Sequence, residues 1–467
     1  MRHLFTKRSR LPVGIVCFAI VLTIQFQLQA QPNETGLGIF ENHTGVGEQR
    51  LPGTAQYDPE QQRYTLEGLG NIAGDQFHYL YRELEGDFIL RARAQFSGET
   101  STEGTLGWMI RSELAPSSSR AFTAVSADGT TTLQYRTSSG KTEKVELPVA
   151  GPNVIQLERN GNTVTVSVAR FGEEFTTAQI NNIALPSKVY AGLFANSDNP
   201  EVARKARFRN VRIVKPAPET LVPYEDYLGS NLEILEVETG HRNIIYQIDE
   251  SLQAPNWTPE GNKLIYNHNG LLYHFNLETN RPEILDTDFA INNNNDHVLT
   301  FDGTILGISD HTEHPDGESL IYRMPADGGI PQRVTEHGPS YLHGWSPDNR
   351  FMVYTARRDG EYDIYKIPAK GGEEIRLTTA PGLDDGPEYT PDGQYIYFNS
   401  TRSGSMEIWR MKPDGSGQEQ LTNDRLNNWF PHISPDGKQV VFISYPETVD
   451  PSDHPFYKRV YLRLMPL

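Results

Sequence analysis

From residue 258 onward one short phrase recurs. Thr258-Pro259-Glu260-Gly261, Ser346-Pro347-Asp348-Asn349, Thr390-Pro391-Asp392-Gly393 and Ser434-Pro435-Asp436-Gly437 each stand before a run of β-branched and aromatic residues. A weaker copy, Phe301-Asp302-Gly303-Thr304, lies between the first two. The fourth turn position falls at 261, 349, 393 and 437, so the last two intervals are both 44 residues, and Gly303 splits the longer one into 42 and 46. A period in the low forties is the length of one four-stranded propeller blade. One blade cannot bury both of its faces alone, so its copies must pack around a ring.

Each copy carries its own instructions. Pro at the second turn position presets φ, and Gly at the fourth tolerates positive φ. The strand that follows, "QYIYFNS" or "QVVFISY", suits burial on both faces. A third strand reads "SLIYRMPADGG", "YDIYKIPAKGG" or "MEIWRMKPDGS", and a fourth reads "EEIRLTT" or "QEQLTND". With an apolar or aromatic residue ahead of S/T-P-D-G, then I-Y/W-x-M/I-P-x-x-G-G and x-R-L-T, these repeats resemble the TolB-like propeller family across residues 228–467. The resemblance implies a six-bladed ring and a cell-envelope role. Strand-like segments from "NLEILEVETG" to "RVYLRLMPL" number twenty-one. The expectation is therefore a six-bladed propeller with an incomplete last blade, stopping roughly 30 residues short of closure. Such a seam would leave sheet edges bare.

Residues 31–213 have no such period. Ten or more short strand-like runs separated by turns, with the hairpin signal Asn160-Gly161, predict a two-sheet β-sandwich. "GDFILRARAQF", "GWMIRSE", "IQLERNGNTVTVSV" and "VYAGLFANS" resemble the concanavalin-A-like, jelly-roll sandwiches often attached to glycan-active proteins. "VKPAPETLVPYEDY", residues 214–227, has three prolines and reads as a stiff linker. The whole is expected to be all-β.

Residues 1–30 read as a secretory signal: Arg2, Lys7, Arg8 and Arg10, then the apolar "LPVGIVCFAIVLTI", then a cut after Ala30. This predicts export to the periplasm or cell exterior, with no membrane span once the signal is removed. Cys17, the single cysteine, leaves with it, so no disulfide can form in the mature chain. The formal charge of −18 becomes −22 on removal of those four bases. Such an acidic chain is a poor partner for nucleic acid or anionic membrane.

The chemistry-bearing motifs are sparse. There is no G-x-S-x-G elbow, H-E-x-x-H, P-loop or dinucleotide fingerprint. No catalytic residue and no organic cofactor is expected; a divalent cation is the one candidate. In a propeller the innermost strand of each blade lies just before the S/T-P-D-G turn, so the residues leading into it ring the channel mouth. That places Asn294, Asn295, Asp296, His297, His343, Asp384, Asp385, Glu388, Asn428 and His432 near one axis. The copy containing "INNNNDH", which has lost its Pro, breaks the pattern and marks a place for local function. In the first half, Tyr81, Arg111, Tyr135 and Arg136 form a candidate aromatic and basic glycan platform, with Asp75 a candidate acceptor for a cation or sugar hydroxyl. The reading is of an exported, non-catalytic binding or scaffold protein engaging an envelope or secreted protein, or a polysaccharide. The alternative is a polysaccharide lyase or hydrolase with a metal-assisted site at the channel mouth.

Overall fold

The structure is a computed structural model that describes residues 36–48, 51–98, 103–222 and 225–467. The expected signal sequence at 1–30 lies outside the described residues. Among those described, regular structure is all β apart from one short 3-10 turn, Ile72–Gly74.

In the first half, alternating apolar residues build two seven-stranded antiparallel sheets. The order of the first is 42–46, 77–85, 188–196, 105–111, 120–126, 131–136, 142–147; that of the second is 176–180, 163–169, 154–160, 88–97, 204–214, 63–68, 54–58. Period two sends every other side chain inward. Leu80, Trp108 and Leu193 from the first sheet meet Leu90, Leu157 and Phe208 from the second in one buried core. Within the first sheet the paired strands 77–85 and 188–196 approach closely at Gly192, where a Cβ would stand 2.0 Å from the carbonyl oxygen of Leu80. Gly192→Ala is expected to cost about 1–3 kcal/mol, because the neighbour is backbone and cannot step aside. Urea unfolding of the variant against the parent checks this.

The second half, from Ser230, contains five blades preceded by a two-stranded ribbon, Ser230–Glu236 with His241–Ile248. Blades I to IV are four-stranded and blade V has three strands. Their first strands are Gln253–Trp257, Asn293–Leu299, Ser340–Trp345, Asp384–Tyr389 and Asn427–Ile433. These first strands lie against one another from blade to blade and form the inner wall.

Two expectations are corrected. The propeller has five blades, not six with an incomplete last one: Ser230–Glu236, counted as part of a sixth blade, pairs with His241–Ile248 and with no further strand. In the first half, the strand order does not show the concanavalin-like jelly-roll sandwich. Short turns make successive strands pair as meanders, 105–147 in one sheet and 154–180 in the other.

The repeat motifs have local explanations. In four of the five turns, the hydroxyl at position one donates to the Asp at position three: Thr300 to Asp302 at 2.7 Å, Ser346 to Asp348 at 2.6 Å, Thr390 to Asp392 at 2.6 Å and Ser434 to Asp436 at 2.7 Å. The fourth residue is left-handed each time, with φ of 68° at Gly303 and 58° at Asn349. The copy that looked irregular is thus regular when read as Thr300-Phe301-Asp302-Gly303. The Thr of x-R-L-T has a purpose as well. Thr335, Thr378 and Thr422 each accept a hydrogen bond from the backbone N–H of Ile321, Ile364 or Ile408, at 2.8–2.9 Å, beyond the point where the two-residue fourth strand ends.

Candidate binding site at the channel mouth

Each inner strand is broken by a register shift, between Gln253/Asn256, Asn293/His297, Leu342/Gly344, Asp385/Glu388 and Trp429/His432. A bulge re-aims the side chains next to it. Here the bulged stretches carry the polar residues that precede each turn.

Blades II to V thereby gather an acid–histidine cluster. His343 Nε2 lies 3.3 Å from Asp385 Oδ1. The same oxygen accepts the Thr355 hydroxyl at 2.7 Å and the backbone N–H of Gly386 at 2.8 Å. One strand further round, His432 Nδ1 lies 2.7 Å from Glu388 Oε2, while the backbone N–H of Ile433 donates to Oε1 at 3.0 Å. Phe430 stacks on His343, centroids 6.1 Å apart, and His454 packs edge-on against both Trp429 and Phe430.

The electrostatics follow from crowding. Burial pushes Asp296 up to about 6; His343 and His454 oppose that shift and Asp385 adds to it. Burial also raises Asp385, but the His343 contact outweighs it and leaves its pKa below the ordinary value. His343 is raised above the usual imidazole value: burial works against the charged form, and Asp385 and Asp296 overcome it. His432, exposed at the rim, is raised likewise: desolvation at the mouth is outweighed by Glu388. At neutral pH the mouth is therefore a set of carboxylates beside imidazoles poised to gain protons. It can hold a cationic group or relay a proton.

The expected site residues divide by face. Asp296, His343, Asp385, Glu388 and His432 come together. Asn295 is exposed beside them, and Asn294 accepts the backbone N–H of Asp296 at 2.8 Å. Asp384 points to the opposite face from Asp385, as alternation demands, and is buried against Arg402 at 2.6 Å. His297 is buried with Nε2 3.2 Å from the carbonyl of Ile265, and burial drives it down to about 4. Asn428 is buried too, donating to Glu407 at 2.9 Å. Thr355 and His454 carry no signal in the sequence, since one is on a second strand and the other on the loop after Tyr445.

The glycan platform is corrected. Tyr81 is buried, stacked on Tyr79. Arg111 is fully buried and spends its guanidinium on Ser118 and the carbonyls of Glu113 and Ala115. Tyr135 is buried, its hydroxyl accepting the N–H of Ala184 at 2.7 Å. Arg136 is paired with Asp75 at 2.6 Å. Residues locked in this way present no open aromatic face. Among the described residues, no three His, Cys, Asp or Glu side chains are gathered as a metal site.

The second half is thus a five-bladed propeller with polar, bulged inner strands. The family model for the TolB beta propeller domain matches residues 343–450. A curated relative, the uncharacterized protein Atu1656 of Agrobacterium fabrum (strain C58 / ATCC 33970), is 45% identical over 164 residues, which is 35% of this chain; the chain spans 55% of that relative's length. A putative TolB from Agrobacterium tumefaciens is 44% identical, covering 52% of this chain and 86% of its own, with a TM-score of 0.49. TolB from Acinetobacter baumannii is 19% identical, covering 51% and 59%, with a TM-score of 0.40. The second half of the chain is a TolB-like β-propeller. No helix among the described residues is long and apolar enough to cross a membrane.

Proposed function

We propose that this is an exported binding protein whose propeller receives a basic segment of a protein partner at the channel mouth. The observation that carries the reading is the convergence of Asp296 of blade II with Asp385 and Glu388 of blade IV, with no Lys or Arg bonded to any of the three among the described residues. Two buried acids elsewhere have arginines, Asp384 with Arg402 and Asp363 with Arg376, whereas Asp310 and Glu407 are held by backbone N–H, hydroxyl and amide donors. A lysine or arginine from outside would supply the missing charge. The likeness to TolB-like propellers supports a protein partner in the cell envelope, and the signal-like residues 1–30 support export.

The sign of the pH dependence follows from the shifts. Falling pH protonates Asp296 near 6 and charges His343 and His432, whose raised values bring this about above the ordinary imidazole pKa. All three events make the mouth less negative. A tetralysine peptide is expected to bind at pH 8 and to lose at least about tenfold in affinity by pH 5, roughly 1.4 kcal/mol. Isothermal titration at fixed ionic strength reads this. Equal or tighter binding at pH 5 contradicts the proposal.

A further inference from the structure

The outward face of the second sheet concentrates positive charge in an acidic protein. Alternation puts Arg91 and Arg93 on one face of strand 88–97, with Ala92 and Ala94 turned to the core. Arg207, Arg209 and Arg212 occupy the same face of strand 204–214, where a bulge between Arg209 and Arg212 keeps the last of them outward. The register sets Arg212 opposite Arg91 and Arg209 opposite Arg93. Like charges directly opposite are destabilising.

The two pairs are treated differently. Beside Arg212 the ribbon supplies Glu233, 2.8 Å from Arg212 and 2.6 Å from Arg242. Among the described residues no carboxylate pairs with Arg93 or Arg209. Arg93 donates to the carbonyl of Thr239 and lies over the Phe171 ring, 4.3 Å from its centroid. Arg209 is 3.3 Å from His241 Nδ1 and 3.2 Å from Gln61 Oε1. Burial and Arg209 together lower the pKa of Arg93. Arg207 makes no hydrogen bond or ion pair among the described residues, and it faces the same space.

That space is a cleft of about 180 Å³, walled by Arg93, Arg207, Arg209, Asn153 and Asn210 of the first half and by Thr239 and His241 of the ribbon. No acid lines it. Three guanidinium groups have five N–H donors each, and few of these are used. Planar forks match carboxylate and phosphate oxygens two at a time. We propose that this cleft binds a small oxyanion, a carboxylate or phosphate group, between Arg93, Arg207 and Arg209. Bound there, the anion would relieve the Arg93–Arg209 repulsion and tie the second sheet to the ribbon. The site is independent of the channel mouth.

The test uses the full chain, with inorganic phosphate and glucuronate as probes and sodium chloride holding ionic strength constant. The melting temperature is expected to rise saturably with at least one probe. Phosphate alone acting identifies a phosphate group, and glucuronate alone a sugar carboxylate; either supports the site. R207Q, which removes a side chain with no partner, is expected to fold normally and to need at least tenfold more ligand. R207K keeps the charge without the fork and should fall between the two. A rise no larger than chloride gives, or R207Q titrating as the parent does, would overturn the proposal.

Discussion

Asp75→Ala is expected to remove about 3–5 kcal/mol of stability, because it strips the carboxylate from two arginines that have little water to fall back on. Asp75 sits in a left-handed position just after the 3-10 turn, with its side chain only 7% exposed. One oxygen pairs with Arg120; the other lies 2.6 Å from Arg136 and accepts the backbone N–H of Ser117 at 2.9 Å. Burial alone would raise the Asp75 pKa, but Arg136 and Arg120 outweigh it and hold the carboxyl below its usual value. Its contribution is therefore fully present above the ordinary carboxylate pKa and is lost as pH falls through the depressed one. Guanidinium unfolding at pH 7 should show the full deficit, and the gap between parent and variant should narrow in strong acid. By contrast, breaking the exposed Lys144–Glu146 pair is worth at most about 1 kcal/mol.

Trp345→Ala should cost a similar amount, about 3–5 kcal/mol. The ring is 2% exposed, packs with Leu342 and Met352, and donates from Nε1 to the carbonyl of Val298 at 3.0 Å. It thus fastens blade III to blade II, and its loss leaves both a cavity and an unpaired carbonyl. Trp257 holds the same place before its S/T-P-x-G turn yet is 52% exposed. Trp257→Ala should change stability by no more than about 0.5 kcal/mol. Unfolding midpoints of the two variants, measured side by side, separate the repeat position from its burial.

Those two tryptophans show what the sequence could say. The blade length, the turn and the x-R-L-T strand were legible because each has a local cause: a hydroxyl caps an Asp, a left-handed residue closes a turn, a Thr receives an N–H. Trp257 and Trp345 look alike because the repeat is local, and they differ because burial depends on which blade stands alongside. The blade count failed for the same reason. Ser230–Glu236 has the pattern of a blade strand, but whether further strands join it is decided by the rest of the chain.

The candidate site was legible to the same depth. Reading the residues before each turn picks out Asp296, His343, Asp385, Glu388 and His432, which the fold brings together. It could not separate Asp385 from Asp384, or Asp296 from His297, since the bulges that re-aim these side chains leave no mark in composition. In the first half, Arg111 and Arg136 looked like surface cations. Only the tertiary packing shows that the first is spent on buried carbonyls and the second on Asp75.

The central claim is that the carboxylates of blades II and IV, to which no Lys or Arg is bonded among the described residues, take a cation from a partner. It is tested most directly by titrating tetralysine peptide at pH 8 into the parent and into the Asp296→Asn/Asp385→Asn double variant, with circular dichroism confirming that both are folded. A loss of at least tenfold in affinity is expected for the variant. Equal affinity in the two proteins would contradict the claim.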